Sequence, residues 1–400
     1  MGLVCSEQVV RDQRSRQLKV LHVIPSISER SGGPGQAIIP MCRALRDSGV
    51  DVLLATTDAD LNGLLEPKLQ TITTHQDVPI IFFKKQFGDS FKYSRSFAQW
   101  LQQHVSDFDV IHIHAVFNHA CIAAARAARK QGVPYVIRPL GTLTPWALGQ
   151  KSLRKKVFWH SGVEKMMRNA AAIHYTTRSE KNAVEESLGL NHGRVVPLGI
   201  DIQSTDSADD FRNLFKLQNH PYVLVLSRLL PTKGIDVLLH AFLSLVRGGF
   251  RDWRLVLAGD GPSDYVASLQ KAVREQNATE RVLFPGWISG GLKMSALQDA
   301  SLLALPSHHE NFGLCVMEAL ACGIPVLISP HVNLASEIEA AGAGWIASIE
   351  KSSVEHALLE ACSSREELVR RGLLGKEFAA KFQWPVIAKE FVEVYREIAG

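Results

Sequence analysis

Short apolar runs recur along this chain, each stopped by Gly, Pro or Ser and followed by a stretch with helical spacing. "LKVLHVIPS" (Leu18–Ser26) is the first. "ERSGGPG" then turns the chain, and "QAIIPMCRALRDSG" repeats apolar residues at helical intervals as far as Gly49. "VDVLLATT", "FDVIHIHAV" (Phe108–Val116) and "PYVIRPLG" (Pro134–Gly141) continue the series, with the helical "HACIAAARAARKQG" between the last two. Strands buried on both faces read as continuous apolar runs, and strands joined by helices pair in parallel. The fold expected is therefore α/β, with doubly wound parallel sheets.

The series stops in "VPLGIDIQSTDSADDF", where Pro, Gly, Ser and Asp cluster, and then restarts. "YVLVLSRL" (Tyr222–Leu229), "WRLVLAGDG" (Trp253–Gly261), "RVLFPGW" (Arg281–Trp287), "ASLLALPS" (Ala300–Ser307) and "IPVLIS" (Ile324–Ser329) are its strands. A chain of 400 residues exceeds what one core usually spans. Two Rossmann-like domains are expected, 18–200 and 201–383, with a hinge near Gly199–Asp206, a disordered tail over 1–17 and a last helix over 384–400 that starts at Trp384–Pro385. In such sheets ligands bind outside the carboxyl ends of the strands, so the residues that matter should lie in the loops just after strands, facing a cleft between the domains.

Composition narrows the function classes. At 46% hydrophobic and 21% charged the chain is an ordinary globular protein, and a net charge of +4 argues for no nucleic-acid partner. Its six cysteines form no C-x-x-C pair and read as buried thiols of a reducing, cytoplasmic compartment. No apolar run approaches the roughly 18 residues that span a bilayer. The opening "MGLVCS" fits the loose myristoylation pattern, with Cys5 as a second acylation position, against a plain tail.

Five groups of residues lie where ligand is expected. "SGGPG" (Ser31–Gly35) follows the first strand and opens a helix; its glycines either let backbone N–H groups approach an anion or simply make a sharp turn. His112 and His114 end "DVIHIH" as core histidines or, for His114, as a residue at the cleft; further ligands at metal spacing are not evident. Arg138 ends the neighbouring strand. Arg228 and Lys233, in "LSRLLPTKGIDVLLHAF", put two cations beside a helix N-terminus, which suits a diphosphate. Glu310 follows the strand "SLLALP", and Glu318 sits further on, with seven residues between them, inside the apolar "FGLCVMEALACG". An unpartnered buried carboxylate is costly, so Glu318 needs a cationic partner or hydrogen-bond donors from a ligand such as ribose hydroxyls.

With these residues in place, the chain resembles the retaining glycosyltransferases of family 4 (glycosyltransferase group 1, GT-B fold), over nearly its whole length. The most specific part is "SHHENFGLCVMEALACGIPVLIS", with its two glutamates followed by A-x-A-x-G-x-P-V; "SRLLPTKG", "AGDGP" and "LFPGW" match in order. "VIPSISERSGGPGQAI" is similar to the N-terminal loop of members that serve bacterial polysaccharide pathways, and "FQWPVIAKEFVEVY" to the last helix, which crosses back onto the first domain. His308 and His309, ahead of Glu310, have no clear reading.

The resemblance implies a UDP- or GDP-linked hexose as donor, transferred with retention to a glycan or lipid-linked acceptor in polysaccharide or glycolipid synthesis. It implies that Arg228 and Lys233 clamp the diphosphate, that Glu318 binds the ribose and Glu310 the sugar hydroxyls, and that His114 lies near the donor sugar. Substrate contacts would also come from Gly32, Gly33 and Arg138, from Gly286 and Trp287 beside the base, and from Phe312, Gly313, Leu314 and Cys315 through their backbone. The leaving phosphate would accept the acceptor's proton, and neither metal nor other cofactor is expected. A nucleotide-sugar epimerase of the same fold and a catalytically silent sugar-nucleotide-binding scaffold are the alternatives. Finally, "KSLRKKVFWHSGVEKMMR" (Lys151–Arg168) sets Lys151, Arg154, Lys155 and Lys156 beside Phe158 and Trp159. That reads as a peripheral contact with anionic membrane, or as a solvated helix with its aromatics turned inward.

Overall fold

The computed structural model describes every residue except 1–16, 29–31, 60, 62–66, 151, 202–209 and 251, and the side chains of 152 and 154. Gly2, Cys5, Ser31, Lys151 and the side chain of Arg154 thus lie outside the described residues. The chain folds as two compact units. One holds the chain up to Thr176, then Glu180–Gly199 and Trp384–Gly400; the other holds Thr177–Ser179 and Ile200–Gln383.

The first unit is built on eight strands: β1 (Lys19–Val23), β2 (Asp51–Thr57), β3 (Ile72–His75), β4 (Val78–Phe83), β5 (Val110–His114), β6 (Tyr135–Arg138), β7 (Ala172–Tyr175) and β8 (Gly193–Val195). Their order is β3-β4-β2-β1-β5-β6-β7-β8, parallel except for the β3–β4 pair. The expected apolar runs become β1, β2, β5 and β6. The β3–β4 hairpin, β7 and β8 have no counterpart among those runs.

The two faces of this sheet differ. Leu21, Ile111, Ile113, Ile137 and Ile173 face a wholly apolar cluster, packed with Ala120, Ala124 and Ala128 of the helix His119–Gln131 and Met166 and Met167 further on. In-register neighbours share a face. His22 pairs with His112, and His114 with Arg138, so the opposite face collects His22, His112, His114, Arg138 and, from β7, His174. The terminal helix Trp384–Ala399, which belongs to this unit, packs against β5 and the helix Gly33–Asp47 and covers that face with Phe391 and Tyr395.

The second unit carries six parallel strands: β9 (Tyr222–Leu226), β10 (Arg254–Ala258), β11 (Val282–Gly286), β12 (Leu302–Leu305), β13 (Val326–Ile328) and β14 (Gly344–Ile346), in the order β11-β10-β9-β12-β13-β14. Numbered from its own first strand this is 3-2-1-4-5-6, the doubly wound order of dinucleotide-binding sheets, whose topological switch point falls between β9 and β12. Loops there are pressed together. A Cβ on Gly259 would lie 1.9 Å from the Ser227 carbonyl oxygen, and one on Gly234, at φ +65°, 2.1 Å from that of Pro306. Only glycine lets the β9 loop lie against the loops that follow β10 and β12.

Candidate active site

The residues singled out in the second half lie at the end of β11, in the loops after β9 and β12, or on the helix that follows β12 in this second unit. Arg228 follows β9, exposed and without an ion-pair partner among the described residues. Lys233 closes a single 3-10 turn (Pro231–Lys233) ahead of the helix Ile235–Arg247. Gly286 ends β11 and Trp287 follows it, both partly buried. Glu310 lies in the loop after β12, and Glu318 lies in the second turn of the helix Leu314–Ala321. The two glutamates thus belong to a loop and a helix, and their spacing does not set them on one helical stripe.

The β12 loop is held from both sides. The backbone N–H of His308 donates to the Thr232 carbonyl at 2.9 Å, the Glu310 N–H to the His331 carbonyl at 3.1 Å, and the Asn333 N–H to the Glu310 carbonyl at 3.0 Å. Ser307 Oγ donates within the same loops, to the Thr232 carbonyl at 3.0 Å. Gly313, at φ 72°, caps the helix that carries Glu318, with Phe312 buried and Leu314 and Cys315 partly so. These bonds hold the loop that carries Glu310 and leads into the helix that carries Glu318.

Both carboxylates are paired. Lys233 Nζ donates to Glu310 Oε2, with the side chains 15% and 21% exposed. Lys293 Nζ donates to Glu318 Oε1 at 2.7 Å. The alternative posed for Glu318 is thereby answered in part: it has a cation, and nothing in the residue pattern pointed to Lys293 as its source. With Arg228 unpaired among the described residues, the switch point presents an open cation, two ion pairs and a helix N-terminus, a combination suited to a doubly charged phosphate ester carrying hydroxyls. The Cys315 thiol is pushed up to about 12 by burial and then by Glu310 and Glu318, so it is no nucleophile at neutral pH.

In the first unit, His114 and Arg138 are buried. His114 Nε2 bonds His22 Nδ1 at 3.0 Å, and its Nδ1 has no partner among the described residues. The Arg138 Nε is likewise unpartnered; burial brings its guanidinium down to about 10 against the opposing pull of Glu180 and Tyr395. A second chain of bonds runs beside it: Tyr395 Oη lies 2.6 Å from His112 Nδ1, His112 Nε2 3.2 Å from His174 Nδ1, and His174 Nε2 2.7 Å from the Val196 carbonyl. Because that carbonyl can only accept, each proton in this chain is assigned: His174 donates to Val196, His112 to His174, and Tyr395 to His112. Ring nitrogens of His22, His112 and His114 lie within 4.8 Å of one another. Both nitrogens of His112 are engaged, with Tyr395 and His174, whereas His22 Nε2 and His114 Nδ1 have no hydrogen-bond partner among the described residues. Gly32 and Gly33 open the helix Gly33–Asp47, with Gly32 at φ 100°.

The Lys151–Arg168 stretch forms not one helix but two short ones (Ser152–Phe158, Glu164–Arg168) with a π turn between them, just after the helix Pro145–Gly149. Phe158 and Trp159 pack against the core, as the inward alternative required. Lys155 is occupied, donating to the Ala147 carbonyl at 2.6 Å. The exposed apolar residues are instead Leu153 and Val157, at 77% and 63%. They sit one turn apart on the helix Ser152–Phe158, beside exposed Lys156.

The second unit is thus a doubly wound α/β sheet that offers cations and paired carboxylates at its switch point. Residues 206–372 match the family described as glycosyl transferases group 1, and residues 32–199 match the glycosyl transferase 4-like domain. The chain belongs to the group 1 glycosyltransferases and is an enzyme of that family. It is similar, at 22% identity over 96% of this chain and 98% of the relative, to the GDP-mannose:cellobiosyl-diphosphopolyprenol alpha-mannosyltransferase of Xanthomonas oryzae pv. oryzae. The D-inositol 3-phosphate glycosyltransferase of Nocardia farcinica is 26% identical over 72% of this chain and 66% of its own length. The fold matches that of Anabaena HepE, crystallised with UDP and glucose, at a TM-score of 0.77 and 22% identity, covering 95% of this chain and all of that one (100%). Sucrose-phosphate synthase from Thermosynechococcus elongatus matches at 0.76 and 21% identity, over 96% and 99%.

Proposed function

We propose that this enzyme moves a hexose from a UDP- or GDP-sugar to a glycan or lipid-linked acceptor, with retention at the anomeric carbon, in polysaccharide or glycolipid synthesis. The observation that carries the reading is the β9–β12 switch point, whose loops carry Arg228 and the Lys233–Glu310 pair. As the bond to the sugar breaks, negative charge grows on the diphosphate. Fixed cations aimed at that charge lower the barrier without reorganising. Glu310 then accepts from the sugar hydroxyls and Glu318 from the ribose. The departing phosphate oxygen takes the acceptor's proton, so no carboxylate is the nucleophile, and Arg228 and Lys233 serve where a metal would otherwise stand. The relative that uses GDP-mannose and the fold neighbour seen with UDP support either base. Product formed from an α-linked UDP- or GDP-hexose and examined by proton NMR should carry an α linkage; a β linkage would refute retention.

The acceptor side of the proposal includes a membrane. None of the described helices is long and apolar enough to cross one. Leu153 and Val157 beside Lys156 are the elements of a shallow interfacial contact with anionic lipid. The double change Leu153→Glu and Val157→Glu should abolish co-sedimentation with phosphatidylglycerol vesicles and leave transfer to a soluble acceptor intact. Equal sedimentation of variant and wild type would remove the membrane from the account.

A further inference from the structure

Glu318 sits in an eight-residue helix whose other members are apolar or sulfur-bearing, Leu314, Cys315, Val316, Met317, Ala319, Leu320 and Ala321. The partner that makes this position tenable is Lys293, from the helix Gly290–Gln298 that follows β11. Its Nζ lies 2.7 Å from Glu318 Oε1, and the two side chains are 19% and 22% exposed. Glu318 Oε2 has no partner among the described residues. One oxygen is thus occupied by protein, and the other is left to a ligand.

We propose that Lys293 is a positioning residue for nucleotide recognition: by holding Oε1 it fixes the Glu318 carboxylate so that Oε2 faces the two ribose hydroxyls. The inference rests on the reading of Glu318 as the ribose ligand. Its physical basis is preorganisation. A glutamate side chain that must be ordered at the moment of binding loses rotamer freedom then, and one already clamped does not. The clamp comes from a different strand–helix unit, so it also locks the helix after β11 to the helix after β12. Lys293 need not touch the ligand at all. The two ion pairs of the site therefore differ in kind: Lys233 stands where phosphate can draw it from Glu310, whereas Lys293 stays on Glu318.

The test separates this role from a structural tie and from a phosphate contact. Full-length wild type, Lys293→Met, Lys293→Arg and Glu318→Gln are titrated calorimetrically with UDP, GDP and their 2′,3′-dideoxy counterparts. Wild type should favour the ribonucleotide by about tenfold or more, the worth of hydrogen bonds to a charged acceptor. Glu318→Gln and Lys293→Met should both lose most of that preference, with dideoxynucleotide affinity nearly unchanged, and Lys293→Arg should restore it. If Lys293→Met weakens ribo- and dideoxynucleotides equally, or neither, while Glu318→Gln loses the preference, Lys293 is no positioning residue although the ribose reading stands. If Glu318→Gln keeps the preference, the ribose reading itself fails and this inference falls with it.

Discussion

Replacing Lys233 with Ala should lower kcat/KM for transfer by about 10²–10³-fold, the usual loss when one fixed donor is taken from a developing charge. Two effects add. The leaving diphosphate loses a cation, and Glu310, which Lys233 contacts directly, loses the partner that holds it in the β12 loop. Arg228→Ala isolates the first effect, because Arg228 is exposed and unpaired among the described residues, so no ion pair of the unit is released by its removal. It should cost a comparable factor with no change in melting temperature. Arg228→Lys should recover only part of the loss, since an ammonium lacks the two-pronged fork that matches a phosphate. Steady-state kinetics with any accepted donor reads both, and wild-type turnover in Arg228→Ala would remove that residue from the clamp.

Acidification should unfold the first unit over an unusually narrow range. Burial holds His22 and His174 at about 3, and holds His112 and His114 well below their ordinary value. Arg138 and the neighbouring rings push the same way, while Tyr395, also buried here with its phenol raised, and Cys42 of the helix Gly33–Asp47 stay neutral. In the unfolded chain these histidines titrate near 6.5. The unfolded state therefore binds more protons than the folded one below about pH 6.5. The stability is complete above that value and is lost as pH falls from it toward the folded values. The loss per histidine approaches about 1.4 kcal/mol per pH unit only well below pH 6.5, and from pH 7.5 to 5.5 it integrates to about 1.4 kcal/mol in all. Four together amount to about 5 kcal/mol between pH 7.5 and 5.5, much of the stability of an ordinary domain. Urea midpoints followed by tryptophan fluorescence should show a proton uptake on unfolding that rises from near zero at pH 7.5 to about four at pH 5. A slope below one proton would mean that the cluster titrates while folded.

The double-winding was legible because buried parallel strands need continuous apolar runs, and β1, β2, β5, β6 and β9 to β13 have them. β7, β8 and β14 are three or four residues long, and "AIHY", "GRV" and "GWI" leave no period to detect. β3, "ITTH", was hidden because it is an edge strand with partly exposed polar residues, whereas β4, "VPIIFF", is a buried apolar run of the same kind as the others and was left out of the series. Arg228, Lys233, Glu310 and Glu318 were legible because each follows a strand and breaks an apolar pattern. Lys293 carried no such signal: lysine on a helix is ordinary, and only tertiary packing brings it to Glu318, 25 residues away. His22 and His174 were hidden for the same reason. Strand register places them beside His114 and His112, across 92 and 62 residues of sequence. Leu153 and Val157 stood out less than Phe158 and Trp159 because residue type alone does not say which side of a short helix faces water.

On the function proposed, the diphosphate of a nucleotide-sugar seats on Arg228 and Lys233 at the β9–β12 switch point. Calorimetric titration of wild type, Arg228→Ala and Lys233→Ala with UDP and GDP tests it most directly. One of the two nucleotides should bind wild type, and each variant should bind it at least about tenfold more weakly, as expected for losing a charge-assisted bond to phosphate. Binding of undiminished affinity in both variants would place the diphosphate elsewhere.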